Sequence, residues 1–128
     1  MASLAFKGLW PPTVNHVWKK TGSGRVYLSK EGRGFRSTIG WLAKLARNDG
    51  VLPQEPFKGP LRVAVRLAPP DRRRRDIDNV CKALFDALTH AGVWEDDRQI
   101  MELEMAMDAP VKGGSVKLEI EAMENGEQ

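Results

Sequence analysis

Apolar side chains recur along this chain with two periods. Leu61, Val63, Val65 and Leu67 alternate with Arg62, Ala64 and Arg66, the period-two pattern of a strand with one buried face. Met101, Leu103, Met105 and Met107 alternate in the same way with Glu102 and Glu104, as do Val116, Leu118 and Ile120 with Lys117, Glu119 and Glu121. The spacing predicts strands over residues 100–108 and 116–123. A turn over Pro110 to Gly114 makes an antiparallel hairpin of them, and the Met and Leu side chains of the first are expected in the core. Shorter strands are predicted from Leu4 to Leu9, stopped by Pro11-Pro12, and from Arg25 to Leu28.

The longer period is helical. Ile77, Val80, Cys81, Leu84, Phe85 and Leu88 fall at i, i+3, i+4, i+7, i+8 and i+11, and Gly92 suits the stop. Phe35, Ile39, Leu42, Ala43 and Ala46 predict a second helix over Lys30 to Asn48. Ser29 is placed to cap its start, and Gly50 and Pro53 to end it. Gly32, Gly34 and Gly40 oppose that helix by about 1 kcal/mol each relative to Ala. The elements add up to an α+β fold, a single domain over residues 1–128. It has a mixed sheet of about five strands packed with two main helices. A chain of 128 residues, 41% hydrophobic, suits one such core. Residues 50–60 form a Pro/Gly-rich loop, and 124–128 read as a frayed end.

Composition narrows the setting. Cys81 is the lone cysteine, so an internal disulfide and a cysteine-rich zinc site are both excluded and a reducing cytosol is expected. No apolar run approaches about 18 residues, and no signal-peptide core opens the chain. A soluble, cytoplasmic protein without a membrane segment is expected. His16 and His90 are not paired at a metal-site spacing.

Charge changes the picture more. Residues 1–75 hold sixteen Lys and Arg against four Asp and Glu, a net +12. Residues 76–128 hold four against thirteen, a net −9, and the two sum to the overall +3. A basic half of that strength points to a polyanion, most often nucleic acid. Lys19, Lys20 and Arg25 flank the Thr21–Gly24 turn of a hairpin-like loop. There they either touch a phosphate backbone or remain solvated.

The sign changes at one point. Arg72, Arg73, Arg74 and Arg75 are followed at once by Asp76 and Asp78, and one helix later by Trp94-Glu95-Asp96-Asp97. Clustered carboxylates repel phosphates unless a divalent cation lies between them, so this order suits a protein that presents a metal to a polyanion. Asp76 and Asp78 also fall in the first turn of the predicted helix, where free N–H groups stabilise carboxylates. Asp76 is therefore equally placed as a plain helix cap, and Asp78 with Lys82 as an ordinary i,i+4 pair. If the acids hold a metal, Lys82 lies one turn above them, placed to meet a phosphate or an attacking water.

Pro69 to Ile100, which reads PPDRRRRDIDNVCKALFDALTHAGVWEDDRQI, resembles the RusA family of Holliday junction resolvases, as does the earlier Pro11-Pro12-Thr13-Val14-Asn15. Thr13 stands where a serine is more familiar. The resemblance implies a Mg²⁺-dependent homodimeric endonuclease, with Mn²⁺ able to substitute, that cuts four-way DNA junctions by paired symmetric nicks in a bacterium or its phage. By position it implies metal ligation by Asp76, Asp78 and Asp97, with Asp96 a further candidate, and makes Lys82 the essential lysine. Arg72, Arg73, Arg74, Arg75, Asn79, Asn15, Lys19 and Lys20 are the expected DNA contacts. A DNA-binding module without catalysis would need the arginines but not the acids; a nucleotide phosphohydrolase would need the acids but not the arginines.

Distance along the chain sets a condition on that site. Asp78 to Ala91 spans roughly 20 Å of helix, and the six residues from there to Asp97 reach at most about 20 Å. A site within one subunit, the arrangement expected, therefore needs residues 93–97 to run back along the helix nearly extended. Otherwise Asp97 must come from the partner subunit.

Overall fold

The structure, a computed structural model, describes residues 1–13 and 18–123. Asn15, His16 and the expected frayed end at 124–128 lie outside the described residues. The elements in chain order are β1 (Ala2–Lys7), β2 (Trp18–Lys20), β3 (Val26–Leu28), α1 (Lys30–Asn48), β4 (Leu61–Ala68), α2 (Ile77–His90), a 3₁₀ turn (Asp97–Gln99), β5 (Ile100–Met107) and β6 (Ser115–Ala122). The fold is α+β. Four strands form a mixed sheet in the order β1-β6-β4-β5, and β2 and β3 pair as a separate ribbon.

Both helices form where the apolar spacing places them. Ser29 caps α1, its hydroxyl accepting the Gly32 N–H at 3.0 Å. Phe35, Ile39, Ala43 and Ala46 are buried, and Leu42 packs against the same core. In α2 the buried set runs Val80, Cys81, Ala83, Leu84, Phe85, Ala87 and Leu88, so its apolar face is wider than the bulky residues alone indicate. Gly92 follows the Ala91 cap at φ +77°, a left-handed conformation that glycine adopts without a Cβ penalty. One Nη of Arg47 donates to the Ala91 and Gly92 carbonyls at 3.0 and 2.9 Å, which ties the end of α2 to α1.

The helices cover one face of the sheet. Leu61, Val63, Val65 and Leu67 of β4 face them, with Val116, Leu118 and Ile120 of β6 and Leu4 and Phe6 of β1. The other face is polar. Arg62 bridges Glu102 and Glu121 at 3.0 Å each, and Arg66 pairs with Asp108. These exposed pairs contribute little to stability, but they leave Arg62 and Arg66 already neutralised.

Two strand expectations fail together. The predicted β5–β6 hairpin does not form, because β4 lies between its two strands, parallel to β5 and antiparallel to β6. The 108–114 segment is long enough to cross the end of β4, where Asp108 N–H donates to Leu67 O and Val111 N–H to Pro69 O. β5 is therefore an outer strand, and its apolar side chains are not core. Leu103, Met105 and Met107 are in register with Val63, Val65 and Leu67, on the helix side, where α2 leaves an open groove at Leu103 and Met105 instead of closing over the strand. Met101 is 63% exposed, Leu103 43% and Met107 39%, and only Met105 packs against the core.

Candidate active site

The arginine run is a loop ordered by Asp71. Its Oδ1 accepts the Arg73 N–H at 3.0 Å and the Arg75 guanidinium at 2.7 Å, while Oδ2 takes the Arg73 guanidinium at 3.1 Å. The Arg73 N–H and the two guanidinium groups hold the Asp71 carboxyl down at about 2. Arg75 turns inward: its side chain is 12% exposed, donates to the carbonyls of Asp71 and Arg73, and lies 5.3 Å over the Trp10 ring. Arg72, Arg73 and Arg74 face solvent. Four adjacent arginines thus divide into three that present charge and one that holds the loop.

Asp76 occupies the N-cap position of α2, yet its side chain makes no capping bond. Asn79 Nδ2 approaches its Oδ2 at 3.5 Å, at the outer limit for a hydrogen bond. Asp78 and Lys82 are exposed one turn apart on α2. With Cys81 and Phe85 of the helix and Leu103 and Met105 of β5, they line an open groove of about 150 Å³ beside the sheet edge. Burial and the Asp78 charge push the Cys81 thiol up to about 11, which leaves it a neutral wall of that groove.

After α2 the chain does turn back along the helix. Val93 N–H donates to Leu88 O at 3.0 Å. Fully buried Trp94 sets its ring edge-on to Phe85, with centroids 5.8 Å apart, and its indole N–H donates to the Thr89 hydroxyl at 2.6 Å. The acidic turn is then fixed by Gln99, whose Oε1 accepts the N–H groups of Glu95 and Asp96 at 2.8 and 2.9 Å. Its amide donates to the carbonyls of Phe57 and Gly59. Asp96 closes the reciprocal half by accepting the Arg98 N–H, which holds its carboxyl below the usual range. Gln99 was missed in the sequence reading; the Asp-x-x-Gln spacing of residues 96–99 is the capping-box signal that finds it.

Asp97 interacts with Asp96 and with Asp86 of α2. Burial, a hydrogen bond with Asp96 and the charges of Asp96 and Asp86 hold its carboxyl above the ordinary range. Asp86 lies two turns along α2 from Asp78. Among the described residues, no group of three His, Cys, Asp or Glu side chains is arranged to hold a metal ion. Asp78 and Lys82 thus line one groove, Asp76 opens with Arg74 and Arg75 on another, and Asp97 interacts with Asp96 and Asp86.

A basic ribbon flanks α1. Lys19 and Lys20 are exposed on β2, and Arg36 of α1 lies 5.5 Å over the Trp18 ring. Arg33 and Arg36 line a shallow groove with Ser37, Gly40 and His90. A Cβ at Gly40 would meet nothing within 4 Å, so this glycine leaves bare backbone on the groove wall instead of relieving a clash.

A sequence profile described as "Endodeoxyribonuclease RusA" matches residues 10–123. The chain belongs to the RusA family. The crossover junction endodeoxyribonuclease RusA of Escherichia coli strain K12 is 38% identical over 116 residues, covering 91% of this chain and 92% of that protein. The protein of the same name from Shigella sonnei is also 38% identical, and that from Enterobacteria phage 82 is 37% identical, over the same shares. RusA membership covers the arginine loop, α2, the acidic turn and all of the main sheet except β1. Among the described residues, no helix is long and apolar enough to cross a membrane.

Proposed function

We propose that this chain is a metal-dependent endodeoxyribonuclease that resolves four-way DNA junctions by paired symmetric nicks, acting as a homodimer in the bacterial cytoplasm and encoded by the bacterium or its phage. The observation that carries the reading is the position of Asp76 and Asp78. Asp76 makes no capping bond at the start of α2, Asp78 accepts the Asn79 N–H at 3.0 Å and lines a groove with Lys82, and three outward arginines precede them in the same loop. Kinship with junction endonucleases from bacteria and a phage supplies the substrate class.

The roles follow from charge. Arg72, Arg73 and Arg74 draw the sugar–phosphate backbone to the start of α2 without reading sequence, and Lys19 and Lys20 extend the basic surface along the ribbon. Asp76 and Asp78 are oxygen donors of the kind that Mg²⁺, or Mn²⁺ in its place, prefers; Asp97 is the third donor, and Asp96 a further candidate. Such an ion supplies a Lewis acid for the scissile phosphate and an activated water. Lys82 places a cation one turn along from Asp78, where it stabilises charge on the phosphate as the bond breaks. Asn79, in the first turn of α2, steadies Asp76 and reaches the same backbone.

Two features support the dimer. A four-way junction has near two-fold symmetry, which a C₂ pair of sites matches. β5 also exposes Met101, Leu103 and Met107 along an open edge, a surface that soluble chains usually cover.

Cleavage of a synthetic four-way junction, compared with linear duplex and with and without Mg²⁺, tests the reading; a junction left intact in Mg²⁺ refutes it. The arginine roles have their own measurement. Arg72→Ala with Arg74→Ala should lower the slope of log affinity against log salt by roughly 1.8 on duplex-like arms, about 0.9 for each lost phosphate contact. An unchanged slope would make those arginines solvated surface.

A further inference from the structure

The groove between α1 and the end of α2 carries charge that the cleavage site does not use. It encloses about 430 Å³, with Arg33, Arg36, Ser37 and Gly40 of α1 on one side and His90 and Ala91 of α2 on the other, and no acid lines it. Among the described residues neither Arg33 nor Arg36 has a carboxylate at ion-pair distance, whereas Arg62, Arg66, Arg73, Arg75 and Arg98 do. Each holds the ribbon instead. One Nη of Arg33 donates to the Leu28 carbonyl at 2.8 Å, and Arg36 lies over the Trp18 ring. A guanidinium has five N–H donors, so both keep donors to spare, and His90 adds a ring N–H.

Two further features suit the groove to an anion. The last carbonyls of a helix carry partial negative charge, and those of Ala91 and Gly92 would repel a phosphate there. The Arg47 guanidinium donates to both, at 3.0 and 2.9 Å, and offsets that charge. Gly40 lies inside α1, where glycine disfavours the helix. A Cβ at this position would meet nothing within 4 Å, so no clash requires the glycine. What its missing side chain leaves is room in the groove. The groove also adjoins the face of α2 that carries Asp78. Residues 78, 82, 86 and 90 recur at i+4 along one solvent-facing stripe. Asp78 to His90 is about 18 Å along the axis, so a phosphate in the groove is not the one beside Asp78.

We propose, building on the endonuclease reading, that this groove is a second phosphate site. Arg33, Arg36 and His90 hold the backbone of the same DNA arm whose scissile phosphate lies at the start of α2. At about 3.4 Å per nucleotide of one strand, 18 Å puts the bound phosphate roughly five nucleotides from the cut for an arm lying along α2. The contact reads no base. It sets the direction in which the arm leaves the cleavage site, and the ribbon with Lys19 and Lys20 is tied to the same two arginines.

Binding to a four-way junction in EDTA, where nothing is cut, tests the site apart from the chemistry. Single methylphosphonates, each of which removes one phosphate charge, are placed one at a time along the strand on both sides of the cut. One of them, at about five nucleotides, should weaken wild-type binding by roughly tenfold, the loss of one charge-assisted contact. It should have no effect on an Arg33→Gln, Arg36→Gln double variant, whose own affinity is already lower by a similar factor. Losses that add at every position overturn the proposal. Gly40→Leu gives a second reading that leaves the ribbon contacts in place. It should raise the denaturation midpoint by favouring α1, yet weaken binding about as much as the double variant; a folded Gly40→Leu protein with wild-type affinity overturns the proposal too. Cleavage in Mg²⁺ decides the endonuclease reading separately. A protein that shows the coupled phosphate but leaves junctions uncut refutes that reading and keeps the groove. One that cuts without the coupled phosphate does the reverse, and a wild-type protein that binds no junction ends both.

Discussion

Asp78→Asn is expected to lower junction cleavage by roughly a thousandfold, at or above the loss of one well-placed charge-stabilising group, while the protein still binds the junction. Asn keeps the size and the hydrogen-bonding capacity of Asp but removes the negative charge that a divalent ion needs. Removing that charge also lessens repulsion of the phosphates, so affinity should hold or rise. The same is expected of Asp76→Asn and Asp97→Asn. Asp76→Asn separates the two readings of that residue with particular clarity. Asn and Asp cap helices about equally well, so a protein in which Asp76 served only α2 would keep both its stability and its activity. Band-shift and cleavage assays on one four-way junction, with the denaturant midpoint as a control, give all three quantities. Cleavage near the wild-type rate for any of the three would remove that residue from the site.

Trp94→Ala is expected to cost about 3–5 kcal/mol of stability, the usual range for deleting a large buried aromatic. The indole is fully buried, stacked edge-on against Phe85 and hydrogen-bonded to Thr89. Its loss would also free the segment that carries Asp96 and Asp97, so the surviving folded fraction should cut slowly even where it is well populated. Trp94→Phe keeps most of the packing and removes the hydrogen bond, so a loss nearer 1 kcal/mol is expected. Urea unfolding of the two variants checks the order; equal losses would mean that packing of the ring is not what holds the turn.

The helices were legible because each carries a long apolar stripe and a glycine stop, signals that need no knowledge of the rest of the chain. The strands were legible one by one, and their order was not. Residues 100–107 and 115–122 are neighbours in sequence with a short turn between, and local reading pairs such strands by default. What separates them is that β4 is buried on its helix face along its whole length and takes a partner on each side. Alternation is the same in an outer strand and a central one, so Met101, Leu103 and Met107 read as core until their neighbours were placed.

The site divides in the same way. Asp76, Asp78 and Lys82 stand within seven residues on one helix, and their mutual position follows from helical geometry. Arg75 looks identical to its neighbours in sequence, and only Asp71 and Trp10 show that it faces inward. Residues 93–97 run back along α2 as the one-subunit arrangement required, yet the Gln99-bound turn ends the return level with Asp86. The chain-length limit leaves the end of that return open, and the capping box fixes where the turn stops.

The strand order also governs how the molecule is assembled during synthesis. β6 lies between β1, which precedes the other strands of this sheet in the chain, and β4. Until residues 115–122 leave the ribosome, β1 has no neighbour and one side of β4 is unpaired, while the local contacts of α1 and α2 are already available. Until then β1 is unpaired and β4 keeps one open side, and the sheet closes in a late insertion that joins β1 to β4 through β6. Pairings so distant in sequence fold slowly and expose edges meanwhile, so a chain halted before β6 is the form most prone to aggregate.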